Sequence, residues 1–147
     1  MSPDKTCSIN IDTIDAAKVL GGVKTIAVVG LSPDPGRPSH RVAAYLKSAG
    51  YRIIPIRPMI KEVLGEKAYA SLNDVPKEIH IDMIDIFRKS EDVPPIVKSA
   101  IARGDVRVVW MQEGITNEEA KREAEGKGMV VVMDRCALKE HKKMMEG

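Results

Sequence analysis

Short apolar runs alternate with amphipathic stretches along most of the chain, and glycine punctuates them. Residues 25–29, 51–56, 79–86, 106–110 and 129–133 are largely apolar without strict alternation, as expected for strands buried on both faces. Between them, residues 39–49 place Val42, Tyr45, Leu46 and Ala49 at helical spacing and close on Gly50. Residues 91–103 do the same with Ile96, Val97, Ala100 and Ile101 before Gly104. Asn117 caps a third helix, whose Glu118/Arg122, Lys121/Glu125 and Glu123/Lys127 pairs are spaced for an exposed face and which ends at Gly126 and Gly128. A short helix from Asn10 or Asp12 to Gly21-Gly22 precedes the first strand, and a charged helix over 138–145 follows the last. The stretch 57–76 is irregular: Val63 and Leu64 suggest a short helix before Gly65, and Tyr69 to Leu72 a connector.

Strands separated by single helices predict an α/β fold, a parallel sheet covered on both faces. Right-handed crossovers make it a Rossmann-like doubly wound sheet of five strands, expected in the order 3-2-1-4-5. At 147 residues the chain reads as a single domain over 1–147, with a loose N-terminal arm at 1–9 and a C-terminal helical tail at 137–147.

Composition removes several functions. Aromatic residues make up 3%, too few for base-stacking platforms. The net charge of +2 comes from interspersed signs, which leaves nucleic acid and membrane surfaces without an electrostatic case. Cys7 and Cys136 lie far apart and form no metal or disulfide framework, so no metal is expected. With no signal-peptide pattern and no run of membrane length, the expected location is the cytoplasm.

A parallel sheet directs every strand's C-terminal end to one edge, and ligands bind there. The residues at those ends are Gly30-Leu31-Ser32, Arg57-Pro58, Phe87-Arg88, Gln112-Glu113-Gly114 and Asp134-Arg135-Cys136. The first of these opens a loop that runs through Arg37 to a helix beginning near Pro38-Ser39. Strand, glycine turn and helix start form a phosphate cradle, because unpaired N–H groups and the positive dipole end meet an anion there. A dinucleotide site would want glycine at positions 32 and 35 and an acid after the second strand. Ser32, Pro35 and Arg57 stand there instead, which disfavours NAD. Arginine at that place suits a ribose carrying a phosphate, as in NADP or coenzyme A. Arg37 and Arg88 add two further phosphate partners.

Six segments then bring in a family. Val-Val-Gly-Leu-Ser-Pro (28–33), Gly-Tyr-Arg-Ile-Ile-Pro-Ile-Arg-Pro (50–58) and Leu-Gly-Glu-Lys-Ala-Tyr (64–69) resemble small stand-alone CoA-binding domain proteins. So do Asp-Ile-Phe-Arg-Lys-Ser-Glu-Asp-Val-Pro (85–94), Trp-Met-Gln-Glu-Gly-Ile (110–115) and Val-Met-Asp-Arg-Cys (132–136). These proteins are relatives of the CoA-binding domain of the succinyl-CoA synthetase alpha subunit, and the resemblance covers roughly residues 10–140. It implies CoA or acyl-CoA lying along the rim. Gly30, Leu31 and Ser32 would approach the pantetheine or pyrophosphate, with Arg37 and the helix start at Ser39 as anion partners. Arg57 and Pro58 stand where these relatives commonly have Asn-Pro, and the arginine's charge favours the adenosine phosphates. Phe87 and Arg88 would flank the ligand, and Gln112, Glu113 and Gly114 would line its far side. Lys61 reads as an exposed loop residue.

The resemblance carries over binding and not ligase chemistry, because the synthetase's phosphorylated histidine belongs to a second domain that this sequence does not contain. No catalytic residue is assigned. His40, His80 and His141 read as structural or surface residues. A hydrolase triad of Ser32, Asp134 and His141 fails on the elbow, which needs glycine where Asp34 stands. Cys136 reads first as a small buried hydrophobe. Its place at the rim beside Arg135, a charge that would favour thiolate, also makes it a candidate for a mixed disulfide with CoA, for storage or sensing. The alternative is an NADP-binding oxidoreductase-type domain. A third reading has CoA or acyl-CoA controlling an unidentified protein partner; the sequence leaves the oligomeric state open, a homodimer being the commonest outcome for such domains.

Overall fold

The structure, a computed structural model, describes residues 16–146. The expected arm at 1–9, the start of the first helix and Cys7 lie outside the described residues. A helix α1 (Ala16–Gly21) leads into β1 (Thr25–Val29), α2 (Pro38–Ser48) and β2 (Arg52–Ile56). Two short strands, β3 (Glu62–Val63) and β4 (Glu66–Lys67), form a hairpin before β5 (Met83–Ile86). Then come α3 (Val93–Arg103), β6 (Val108–Met111), α4 (Glu118–Gly126), β7 (Val130–Val132) and α5 (Ala137–Glu146).

The main sheet has five strands, in the order β2-β1-β5-β6-β7, and every pairing is parallel. The α/β class, the parallel sheet and the Rossmann-like form match the sequence reading. The position of one strand does not. Counting these five in chain order gives 2-1-3-4-5, because β5 pairs with β1 rather than lying outside β2. Tyr69 explains the difference. It bridges in parallel to Ile56, with Arg57 N–H donating to its carbonyl at 2.8 Å and its own N–H donating to Pro55 O at 3.0 Å. The outer edge of β2 is thus already paired by a single residue, which holds the place that the order 3-2-1-4-5 assigns to a third strand.

Alternation along the strands divides the core in two. Ile26, Val28, Ile53, Met83, Val108, Trp110 and Val132 face α1, α2 and α5. Ala27, Val29, Ile54, Ile56, Ile84, Ile86, Val109, Met111 and Val131 face α3 and α4. Trp110 is fully buried, and its indole N–H donates to Arg135 O at 2.8 Å. Burial of a side chain of that class stabilises by about 1.5–3 kcal/mol, and the hydrogen bond ties the entry of α5 to the centre of the sheet.

The helices begin and end as their sequences require. Pro38 opens α2, where its missing N–H costs nothing. Asn117 Oδ1 accepts from Ala120 N–H at 2.9 Å, as its capping position predicts. Gly104 ends α3 at φ 88°. Glu123, spaced for Lys127, instead pairs with Lys98 of α3 at 2.9 Å. In place of the expected short helix at Val63-Leu64, Val63 ends β3 and Leu64-Gly65 make the turn of the β3–β4 hairpin. Leu64 and Gly65 have φ of 56° and 75°, and successive left-handed residues make a tight hairpin turn that no right-handed helix contains.

Candidate functional site

All five long strands end at one rim, and the segments that leave them enclose a cleft. Gly30 is its closest point. Its N–H donates to Ile56 O at 2.8 Å, its φ is +89°, and a Cβ there would stand 2.8 Å from Phe87 O and 3.1 Å from Arg88 Cδ. Only a residue without a side chain lets the exit of β1 approach the exit of β5 this closely. Leu31 then turns inward and is fully buried in the core beneath α2.

The loop that follows is held by its own polar groups. Ser39 Oγ accepts from Ser32 N–H at 3.0 Å, Ser32 Oγ accepts from Asp34 N–H at 3.0 Å, and Asp34 Oδ1 accepts from Gly36 N–H at 2.9 Å. This network spends the two serine oxygens as acceptors and leaves each hydroxyl proton free to donate. No side chain caps the start of α2. Its dipole end therefore opens onto the hollow of about 260 Å³ lined by Gly30, Ser32, Arg37, Pro38, Ser39, Arg57 and Phe87. Beside it, Gly30, Arg57, Pro58, Phe87 and Arg88 line a second hollow of about 350 Å³. Among the described residues, the guanidinium groups of Arg37 and Arg57 have no protein partner. Arg88 donates to Asp92 at 3.2 Å.

Across Phe87 and Pro38 the cleft widens to about 520 Å³ between α2 and the start of α5. Gln112 is nearly buried there, and its Oε1 accepts from Ala137 N–H at 3.1 Å. Glu113 pairs with Lys139 at 3.0 Å over this hollow, and the hydrogen bond and charge of Glu113 hold the Lys139 ammonium above the usual lysine range. Cys136 is half-buried in the same wall. Arg135 reaches instead toward Glu140 at 3.7 Å, and Lys139 and Arg41 are the cations that line the hollow with Cys136. Gly114 lies outside the hollows, and its N–H donates to Asp134 Oδ1 at 2.7 Å. That bond links the loops after β6 and β7.

The structure thus gathers Gly30, Ser32, Arg37, Ser39, Arg57, Pro58, Phe87, Arg88, Gln112, Glu113 and Cys136 along one cleft, with Leu31 and Gly114 supporting it from behind. It does not gather a hydrolase triad. His141 Nδ1 is 2.8 Å from Tyr45 Oη, in a buried cluster with Tyr51 and away from Ser32. Three features escaped the sequence reading. Lys139 and Leu138 wall the wide hollow, signalled only by their spacing from Cys136 in what reads as a solvated tail. An apolar recess of about 190 Å³ opens beside Pro58 and Arg88 on the other side of the sheet, between Leu72 and Ile96. One wall of it, Pro58 and Ala70 to Leu72, comes from the irregular stretch 57–76, where no periodicity could announce it. The third feature is Asp85, an acid in an apolar strand, fully buried and without a hydrogen-bond partner for either oxygen.

Among the described residues, no group of His, Cys, Asp and Glu could hold a metal ion, and no helix is long and apolar enough to cross a membrane.

Comparison with known proteins places this geometry. The uncharacterized protein YneT of Bacillus subtilis is 40% identical over 132 residues, 90% of this chain and 96% of YneT. The chain is also similar to a hypothetical protein from Pyrococcus horikoshii whose structure is solved. That similarity has a TM-score of 0.85 and 37% identity, covering 92% of this chain and 95% of that one. The ADP-forming acetate–CoA ligase II of Archaeoglobus fulgidus is 31% identical over 100 residues, which is 67% of this chain and 15% of the ligase. A family described as the CoA binding domain matches residues 24–142, a span that contains every strand of the sheet and all of the cleft's lining residues. The chain belongs to the CoA binding domain family.

Proposed function

We propose that the protein binds CoA or acyl-CoA along the rim cleft and performs no reaction alone. One observation carries this reading: Arg37 and Arg57, whose guanidinium groups have no partner among the described residues, flank the uncapped start of α2 in a single hollow. Two cations and a helix dipole end make a site for a polyanion, and CoA carries a pyrophosphate and a ribose phosphate. Arg57, at the end of β2, faces the ribose phosphate. Arg37 and the first turn of α2 face the pyrophosphate. The arm that ends in the thiol then runs past Phe87 into the wide hollow, where Cys136 and Lys139 stand.

Calorimetric titration of the reduced protein with CoA, dephospho-CoA and NADP tests the reading. CoA is expected to bind more tightly than either of the others, and tight NADP binding in its place would favour the oxidoreductase-type alternative. Arg57→Ala should weaken CoA by about 10- to 100-fold, the worth of a hydrogen bond to a charged group. It should leave dephospho-CoA nearly unchanged. Equal losses for the two ligands would remove the ribose phosphate from Arg57.

The half-buried Cys136 extends the proposal to thiol storage or sensing. Its thiolate attacks the disulfide of oxidised CoA, one S–S bond forms as another breaks, and one CoA thiolate leaves. Incubation with CoA disulfide should add the mass of one CoA less two hydrogens to the intact protein. The adduct should disappear on reduction and be absent in Cys136→Ser. An adduct that survives that substitution, or none in the parent protein, overturns the role.

A further inference from the structure

Asp85 occupies the middle of the central strand, between Val28 of β1 and Trp110 of β6. Its neighbours at the opposite end of the sheet show how this fold treats an acid it needs for structure. Asp82 accepts from the N–H groups of Lys24 and Thr25, and Asp105 accepts from Ile81 N–H and Arg103. Asp85 receives nothing, and burial pushes its carboxyl well above the usual range, so it is the neutral acid. A buried polar group left without a partner destabilises the fold, and native proteins keep such groups chiefly where they act.

Alternation turns Asp85 toward the side of α2 and α5, as it does Met83 before it and Phe87 after it. Two residues beyond the triplet Val28, Asp85 and Trp110 stand Gly30, Phe87 and Gln112, and all three line the cleft. The acid therefore lies one pleat, roughly 7 Å along the strand, beneath the cleft floor. It is under Phe87 and diagonal to Gln112. Gln112 lines the cleft, and with its Oε1 engaged by Ala137 N–H the NH₂ group is the part of its carboxamide left to donate. An amide donor with a neutral carboxyl O–H in the layer below is a pair suited to a carbonyl oxygen.

We infer that Asp85 is the buried polar end of the wide hollow and completes the recognition of an amide or thioester carbonyl on the ligand's thiol-bearing arm. Seating the arm against Asp85 requires the half-buried Phe87 side chain, one pleat above it on the same strand, to turn aside. This rests on the CoA reading above and adds to it a subsite for the arm. It also explains why a strand would retain an acid whose fold-level contribution is unfavourable.

The experiment measures denaturant midpoints of wild type, Asp85→Leu and Asp85→Asn, and their affinities for acetyl-CoA and for adenosine 3′,5′-bisphosphate, which lacks the arm. Asp85→Leu should raise the midpoint and weaken acetyl-CoA about tenfold, the worth of one buried hydrogen bond, while the bisphosphate binds as before. Asp85→Asn, which keeps a polar end, should raise the midpoint and fall between the two in acetyl-CoA affinity. Unchanged acetyl-CoA affinity in both variants overturns the inference. A lowered midpoint, or failure to fold, in both also overturns it, because the acid would then be serving the fold. Wild type binding the bisphosphate no less tightly than acetyl-CoA overturns the arm subsite alone. Wild type binding neither overturns the CoA reading itself.

Discussion

Gly30→Ala is expected to destabilise the protein by about 2–5 kcal/mol and to abolish tight CoA binding. The estimate adds the cost of a left-handed backbone for a residue with Cβ, about 1–2 kcal/mol, to an overpacking cost of roughly 1–3 kcal/mol. The second part follows from what the methyl group would meet. Phe87 O, 2.8 Å from that Cβ, is backbone, and Phe87 N–H is held to Val29 O at 2.9 Å, so relief requires the exits of β1 and β5 to part. Phe87 and Arg88 leave their places on the cleft wall with them. Gly104→Ala is the control. It has nearly the same φ, +88°, and nothing within 4 Å of its added Cβ, so it should lose only the backbone part. Urea unfolding of both variants, with the slope unchanged, isolates the close approach. Equal midpoints for the two would mean that Gly30 is there for its φ alone.

The legible parts of this fold are those that repeat. Strands buried on both faces and helices closed by Gly50, Gly104 and Gly128 follow from local pattern, and so do the five strand ends that converge on the cleft. Gly30, Arg57 and Gln112 were legible for that reason: a parallel sheet brings its C-terminal ends together whatever the order of its strands. The order depends on a single bridging residue. Tyr69 blocks the edge of β2 with two backbone hydrogen bonds, and one residue has no period to detect. The hairpin turn at Leu64-Gly65 was missed for a related reason, because leucine is an uncommon left-handed residue and its φ cannot be read from its type. Asp85 could have been noticed. An acid flanked by Ile84 and Ile86 in a fully buried strand conflicts with its surroundings, and such conflicts mark sites of function.

Arg103→Leu should cost about 3–5 kcal/mol, the range for breaking a buried ion pair by removing one partner, yet leave CoA affinity unchanged wherever the protein stays folded. The Arg103 side chain is 3% exposed. It donates to Asp105 through Nε at 3.1 Å and Nη2 at 3.0 Å, and to the carbonyls of Val75 and Ile79 at 2.8 and 2.7 Å. Leucine would fill the space and orphan all three acceptor groups. Burial alone would raise the Asp105 carboxyl, but its hydrogen bonds from Arg103 and Ile81 N–H and the arginine's charge hold it below the usual value. A carboxyl whose folded pKa lies below its unfolded one stabilises at pH above the unfolded value, and that stabilisation fades as pH falls through the folded one. The Asp105 contribution should therefore hold from pH 7 down to about 4 and fade below, read as the difference between wild type and Arg103→Leu because the raised carboxyl of Asp85 adds stability to both as pH falls. In Arg103→Leu, Asp105 loses its cation, and the decline should begin at higher pH. Parallel declines would show that Asp105 takes its low value from the Ile81 N–H. The two ends of the sheet thus use charge in opposite ways. At the N-terminal end, Arg103, Arg107, Asp82 and Asp105 satisfy one another and hold the strands in register. At the C-terminal end Arg37 and Arg57 have no ion-pair partner among the described residues, so an incoming polyanion meets cations that need not first break a bond with them.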